Sequence, residues 1–298
     1  MAFLITDKAF KSIEDLKTFL IDEEVLLEFY VCSTCGFNSK LMIYTQGEKK
    51  YLVYRCTKKG CQKRKGIFNT NIGILNYFLA VYFIMSSANY WQLKVWLGIS
   101  DVTISSIKSK LRGAYNIYLE RNPIVLGGMG VILEVDETVI SRRGIIVNPT
   151  TLSDEVADTV WILGVVDQTN IRNFFIKRVE NRRSNTLTRV LEGVIRVGSV
   201  LCSDGYPSYP AVAENLNLSH IVVNHSHGFV NEDGDNTNTI ESFWSHLKSS
   251  MRKENGVMRQ NIDLWLGEYT FKRRYLTGTS NEEFKRIFIE IIKILIDI

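Results

Sequence analysis

The chain has 298 residues, of which 45% are apolar and 23% charged, with a formal net charge of +4 and a pI near 8.7. That length exceeds one minimal domain and fits two or three units, and the apolar share is that of a soluble protein able to bury a core. The charge excess is too mild to name a nucleic-acid partner by itself, so such an argument must rest on where the charges sit.

At the N-terminus Asp7 and Lys8 come too early to leave the apolar core of a secretory signal. The most apolar stretch, 72–88, is interrupted by Asn76 and is shorter than the roughly 20 residues a membrane span needs. No membrane association is expected. Five cysteines, four of them close together, do not suit a secreted disulfide framework. The expectation is an intracellular protein.

The first segment, 1–72, opens with a short helix over 15–27. Cys32 and Cys35 follow as C-x2-C, then a hairpin-like stretch around Gly47, then Cys56 and Cys61 as C-x4-C. Four soft ligands in two close pairs suit tetrahedral Zn2+, and small β segments of this kind gain their fold from the metal. Two buried thiol pairs or two local disulfides are the alternatives. Lysines and arginines crowd the stretch from Lys49 to Lys65. On a zinc ribbon they suit phosphate contact, because bound cations release counterions.

The second segment, 73–122, has helical periodicity in Ile74, Tyr77, Phe78, Val81 and Tyr82. A helix over 91–97, a break at Gly98-Ile99-Ser100 and a helix over 102–115 spell a helix-turn-helix-like DNA-binding segment, with Ser100 or Asp101 as cap. Thr103, Ser105, Ser106, Lys108 and Lys110 form its polar, basic side. A plain helical hairpin is the alternative.

The third segment, 123–275, alternates strands and helices. Strands fall at 131–140, 160–166 and 173–179, then a helix at 186–197, a strand at 199–202, a helix at 206–215, a strand at 220–224 and a helix from about 238. Three strands, helix, strand, helix, strand, helix is the order of an α/β ribonuclease-H-like fold, a mixed sheet with helices on both faces. The last segment, 276–298, is an amphipathic helix expected to pack on the third segment or on another subunit.

Four acids stand out, on three elements. Glu134 and Asp136 interrupt an apolar strand, sharing a face opposite Leu133 and Val135. A carboxylate on a sheet core costs several kcal/mol unless it is partnered, and a divalent cation is one partner. An edge strand with a wet face is the other explanation. Asp204, in Ser203-Asp204-Gly205, sits where a strand leaves the sheet, where sites of open sheets form, with Gly205 permitting a sharp turn. Capping of the next helix would equally explain it. Glu241 lies one turn into "NTNTIESFWSHLKSSMRK", with Asn238 at capping-box distance. Ile240, Phe243, Trp244 and Leu247 dock that helix, and Lys248 follows Glu241 by two turns on one side, placed for a phosphate. Three such acids suit two Mg2+ ions acting on a phosphodiester.

Together "LEVDETVISRR", "WILGVVD", "LCSDGYPSYP", "IVVNHSHGFV", "NTNTIESFWSHLKSSMRK" and "LWLGEYTFKRRY" resemble the Merlin-type DDE transposases, eukaryotic relatives of a bacterial insertion-sequence family with an Asp-Asp-Asn/Glu core. "YRCTKKGCQKRKG" resembles that family's zinc-binding segment. The resemblance implies cleavage of transposon ends and strand transfer into target DNA, with Mg2+ or Mn2+ at Asp136, Asp204 and Glu241, and Zn2+ at Cys32, Cys35, Cys56 and Cys61. Asn238 rivals Glu241 for the third position, and Lys248 is the basic follower. It further implies terminal inverted repeats as DNA partner, a homodimer or higher oligomer, and a nuclear location in a eukaryotic host. His225 and His227 take a supporting role by hydrogen bonding, while Asp154, Glu155 and Asp158 are read as solvated. A sequence-specific DNA-binding regulator that keeps a non-catalytic ribonuclease-H-like scaffold is the alternative reading.

Overall fold

The computed structural model of the protein describes residues 7–68, 70–140, 146–147, 160–223 and 237–297. The chain divides into two units: residues 1–118 with 275–298, and residues 119–274.

In the first unit, α1 (Ile13–Asp22) starts two residues earlier than the sequence pattern predicts, because Ser12 caps it by accepting the Asp15 N–H at 3.0 Å. It also ends earlier, at a turn where Glu24 takes a positive φ. A four-stranded antiparallel sheet follows, in the order β1 (Phe29–Val31), β2 (Asn38–Gln46), β3 (Lys49–Cys56), β4 (Arg64–Gly66). Gln46 pairs with Lys49, so Gly47 and Glu48 form a two-residue hairpin turn, and Gly47 supplies the positive φ that such turns require.

Three helices come next: α2 (Ile74–Met85), α3 (Tyr90–Leu97) and α4 (Asp101–Arg121). A capping box between Asn89 and Gln92 starts α3, and Gly98 in the left-handed region ends it. Ser100 accepts the Thr103 N–H at 3.3 Å and caps α4. Helix α4 outruns the predicted 102–115, since Leu111, Ala114, Tyr115 and Tyr118 keep its apolar stripe buried. Thr103 is buried, bonded to Ser100, and so is absent from the polar side expected of it.

The C-terminal helix, numbered last below, contributes Phe284 and Phe288 to this first unit. The Phe288 ring lies 6.3 Å from Phe10, 6.2 Å from Phe78 and 6.1 Å from Tyr82. The expectation that this helix packs on the third segment is therefore corrected: its apolar stripe is spent on an aromatic cluster of the N-terminal unit.

The second unit holds β5 (Ile132–Ile140), β6 (Ile146–Val147), β7 (Val160–Asp167), β8 (Phe174–Val179), α5 (Ser184–Leu191), β9 (Val200–Ser203), α6 (Tyr209–Asn215), β10 (Ser219–Val222), α7 (Asn238–Lys253), β11 (Val257–Met258) and α8 (Ile262–Phe271). Helix α9 (Asn281–Asp297) is the C-terminal one. The main sheet runs β10-β9-β5-β7-β8, with β5, β7 and β8 antiparallel and β5, β9 and β10 parallel. This is the ribonuclease-H-like arrangement. Leu133, Val135, Leu163 and Val165 face α5 and α6. Ile140, Ile162, Val166 and Ile176 face α7 and α8. Strand β5 is thus central and covered on both faces, which removes the wet edge strand as an explanation for its acids.

Two helices are shorter than the sequence pattern predicts. Helix α5 ends at Leu191 because Gly193 adopts a positive φ and Ile195 bridges to Leu126. Helix α6 starts at Tyr209, with Pro at its first turn, where a missing N–H costs nothing.

Candidate functional site

The site begins with the register of two parallel strands. Val135 of β5 pairs with Ser203 of β9, so Asp136, midway along β5, and Asp204, just past the end of β9, each the next residue, are neighbours. Asp204 Oδ1 accepts the Tyr206 N–H at 3.0 Å, a local turn that orients its carboxylate. Gly205 needs no positive φ here, so the turn rests on that bond and not on glycine's freedom. Nor does Asp204 cap α6, whose N-cap is Ser208.

Helix α7 is fastened to β5 by two acids on one face of the strand. Glu134, fully buried, accepts the Ile240 N–H on Oε2 at 2.8 Å and the Gln168 side-chain amide on Oε1 at 2.9 Å. Asp136 accepts the Trp244 indole N–H on Oδ2 at 2.9 Å. Ile240 and Trp244 are one helical turn apart, as Glu134 and Asp136 are one strand repeat apart. The indole reaches Asp136 because Gly164, the residue paired with it on β7, has no side chain: a Cβ there would meet the ring at 2.4 Å.

The expected capping box does not form. Thr237 is the N-cap, Asn238 is the first helical residue, and the Thr237 side chain makes no cap bond. Glu134 from β5 takes over that duty, a carboxylate at the positive end of the helix dipole. Glu134→Ala removes the acceptor of the buried Ile240 N–H and one acceptor of the half-buried Gln168 amide. The expected loss is about 2–4 kcal/mol, read by urea denaturation, with Glu134→Gln losing less.

Glu241 and Lys248 lie on α7 at two-turn spacing, Glu241 and Asn238 exposed and Lys248 half-buried. The structure thus brings Asp136 and Asp204 together and ties α7 to the pair through Trp244. It does not draw Glu241 into a tight three-carboxylate cluster. His225, His227, Asp154, Glu155 and Asp158 lie outside the described residues.

Burial pushes the Asp136 carboxyl above its ordinary 3.8, and the Asp204 charge adds to the shift; the Trp244 N–H and Arg182 oppose it. A carboxyl with a raised folded pKa contributes stability that is present below the unfolded pKa and lost as pH rises through the folded one. At neutral pH without divalent metal, Asp136 therefore costs stability. Asp136→Asn should melt higher than the parent at pH 7 and no higher at pH 3, as checked by calorimetry in EDTA.

A divalent cation fits this donor set: two neighbouring carboxylates, one of them disfavoured as a bare anion. In the first unit, Cys32, Cys35, Cys56 and Cys61 bring their sulfurs within 4.8 Å of one another, the one such cluster among the described residues. Cys32 and Cys61 are 3.9 Å apart and Cys35 and Cys56 3.5 Å, with no disulfide among them. Those separations match the ~3.8 Å edge of a tetrahedron with zinc–sulfur bonds of about 2.3 Å. The Thr34 and Cys35 backbone N–H groups hold the Cys32 thiol down to about 6, while burial pushes the neighbouring Cys56 thiol up to about 12.

Residues 127–274, all within the second unit, match the ISXO2-like transposase domain family. An uncharacterized transposase-like protein of Haemophilus influenzae is 32% identical over 90 residues, which cover 30% of this chain and 72% of that protein. The chain belongs to the ISXO2-like transposase family. It is a transposase of the DDE type. Among solved structures, a pre-cleavage Mos1 transpososome aligns at 10% identity and a TM-score of 0.31, covering 73% of this chain and 75% of that one. The Mos1 mariner paired end complex with Mn aligns at 12% identity and a TM-score of 0.31, over 72% and 75%.

Three residues of this transposase site carry no strong signal in the sequence. Glu134 is visible there only as a second acid on the Asp136 face. Gly164 reads as an ordinary strand glycine, and Trp244 as a docking aromatic. For Gly164, a glycine inside a strand pattern does mark close approach by another group. Among the described residues, no helix is long and apolar enough to cross a membrane.

Proposed function

We propose that this transposase, of the Merlin-type branch, cleaves DNA at transposon ends and joins the freed ends to target DNA. Asp136 and Asp204 hold two Mg2+ or Mn2+ ions together with Glu241 from α7, and Asn238 is the competing third position. The observation that carries the reading is the register of β5 and β9, in which Val135 pairs with Ser203 and Asp136 and Asp204 follow side by side, with α7 bonded to Asp136. When bound, such ions ease deprotonation of an attacking water or 3′-hydroxyl and stabilise the leaving oxygen.

The chain's own residues supply the rest. Trp244 holds one oxygen of Asp136, and the turn at Tyr206 holds one oxygen of Asp204. Glu134 anchors the first turn of α7 and so fixes where Glu241 is presented. Lys248, two turns along, is placed to grip a phosphate. In the first unit, the four thiols hold Zn2+ and the cationic ribbon and α3–α4 bind the terminal inverted repeats. Two ends must be held at once, so the working species is a homodimer or larger.

The exposed position of Glu241 favours the second reading, a DNA-binding regulator with an idle catalytic scaffold. One experiment separates the two. Purified protein with Mg2+ is given duplexes carrying the inverted repeats of its own element and a target plasmid. Nicked ends and joined products support the transposase; tight binding with neither product supports the regulator. Glu241→Gln and Asn238→Ala, run in parallel, decide the third position.

A further inference from the structure

Glu137 follows Asp136 but points to the opposite face of β5, toward α5 and α6. Its side chain is fully buried, and Arg182 pairs with it, Nη2 at 3.1 Å and Nε at 3.4 Å from Oε2. The same guanidinium sits over two rings. Its carbon is 3.6 Å from the Tyr206 ring centroid and 4.6 Å from that of Trp161 on β7. The Arg182 carbonyl accepts the Ser208 hydroxyl at 2.8 Å. Arg182 therefore touches the residue after Asp136 and two residues of the turn that follows Asp204.

Arg182 reaches each acid of the pair through a neighbour, Asp136 by way of Glu137 and Asp204 by way of Tyr206. An arginine free to swing would neutralise Asp136 or Asp204 itself. Here Glu137 takes its charge, and the two rings take its faces, geometry that lysine cannot reproduce. Tyr206 in turn gives its backbone N–H to Asp204. The chain of contacts runs Glu137, Arg182, Tyr206, Asp204, and it links the two adjacent strands just beyond their last paired residues, Val135 and Ser203.

We propose that Arg182, with Glu137 and Tyr206, is a positioning device that sets the distance between the Asp136 and Asp204 carboxylates and so the affinity for divalent metal. The proposal rests on the metal site proposed above. Arg182 is a positioning residue, touching neither substrate nor metal.

The test is Mn2+ binding to the full-length, zinc-loaded chain, followed by the electron paramagnetic resonance signal of free Mn2+, with thermal melting alongside. Tyr206→Leu removes one stacking face and leaves Glu137 paired. Arg182→Lys keeps the charge and loses the plane. Each should weaken Mn2+ binding about tenfold or more, the range that outer-shell partners of metal ligands command. Tyr206→Phe, which keeps the ring, should bind as the parent does. Parental Mn2+ affinity in both Tyr206→Leu and Arg182→Lys would overturn the proposal. So would equal weakening in Tyr206→Phe and Tyr206→Leu, since the ring would then be irrelevant. Asp136→Asn is the separate arm. If it leaves Mn2+ binding unchanged, the metal site itself is wrong, whatever the clamp variants do.

Discussion

Asp136→Asn and Asp204→Asn, made singly, should each lower end cleavage on the order of 10³-fold or more while leaving binding to the inverted repeats intact. The size follows from where the two groups sit. They are neighbours across parallel strands, so neither can take over the other's place. Asparagine keeps the shape and the acceptor for Trp244 or Tyr206 but removes the charge that opposes a divalent cation. Binding should hold, or tighten slightly as repulsion of phosphate falls. The two readouts are a gel assay of nicked ends and fluorescence anisotropy with labelled repeats. Asparagine variants that cleave at the parental rate would exclude both residues from the chemistry. The expected rise in melting temperature for Asp136→Asn sharpens the case, because a residue kept at a stability cost is being kept for another reason.

Removal of zinc should be the other large effect. Strands β1 and β4 are three residues each and exposed along their length, so the buried apolar surface of this sheet is confined to β2 and β3, chiefly Leu41, Leu52, Val53 and Tyr54. Metal binding at sites of this class contributes about 10–16 kcal/mol to folding at neutral pH. Chelation, or Cys56→Ser, should therefore unfold the ribbon and abolish binding to the repeats, while the second unit, which holds none of these ligands, keeps its own melting transition. Elemental analysis of the purified chain, with circular dichroism before and after chelation, reads the result. Unchanged repeat binding by zinc-free protein would remove the ribbon from DNA recognition.

What the sequence shows of this site follows from its physics. Asp136 and Asp204 are legible because charge inside an apolar strand, or at its end, has few innocent explanations. The four cysteines are legible because their spacing is local. Glu134 is legible only as an oddity, since its partner is the Ile240 N–H 106 positions away, and no local pattern reports a backbone donor arriving from another element. The capping box misleads for the same reason: Asn238 has the right spacing, but a strand acid holds the helix instead. Arg182 carries no pattern at all; its role exists only once Trp161, Tyr206 and Glu137 converge on it. The C-terminal helix is legible as amphipathic, yet the surface it would cover is not, because an apolar stripe specifies only that it must be covered.

That helix has a consequence for how the polypeptide is made. The aromatic cluster around Phe10, Phe78 and Tyr82 is closed by Phe284 and Phe288, which leave the ribosome after everything from Leu119 to Arg274. At about 5–20 residues per second, the residues from Tyr275 to Ile298 take roughly 1–5 s to add. During that interval the sheet bearing the acid pair can already be folded while the N-terminal unit still lacks a wall of its core. In a nascent chain of this kind the unit of the acid pair is complete before the unit of the four thiols.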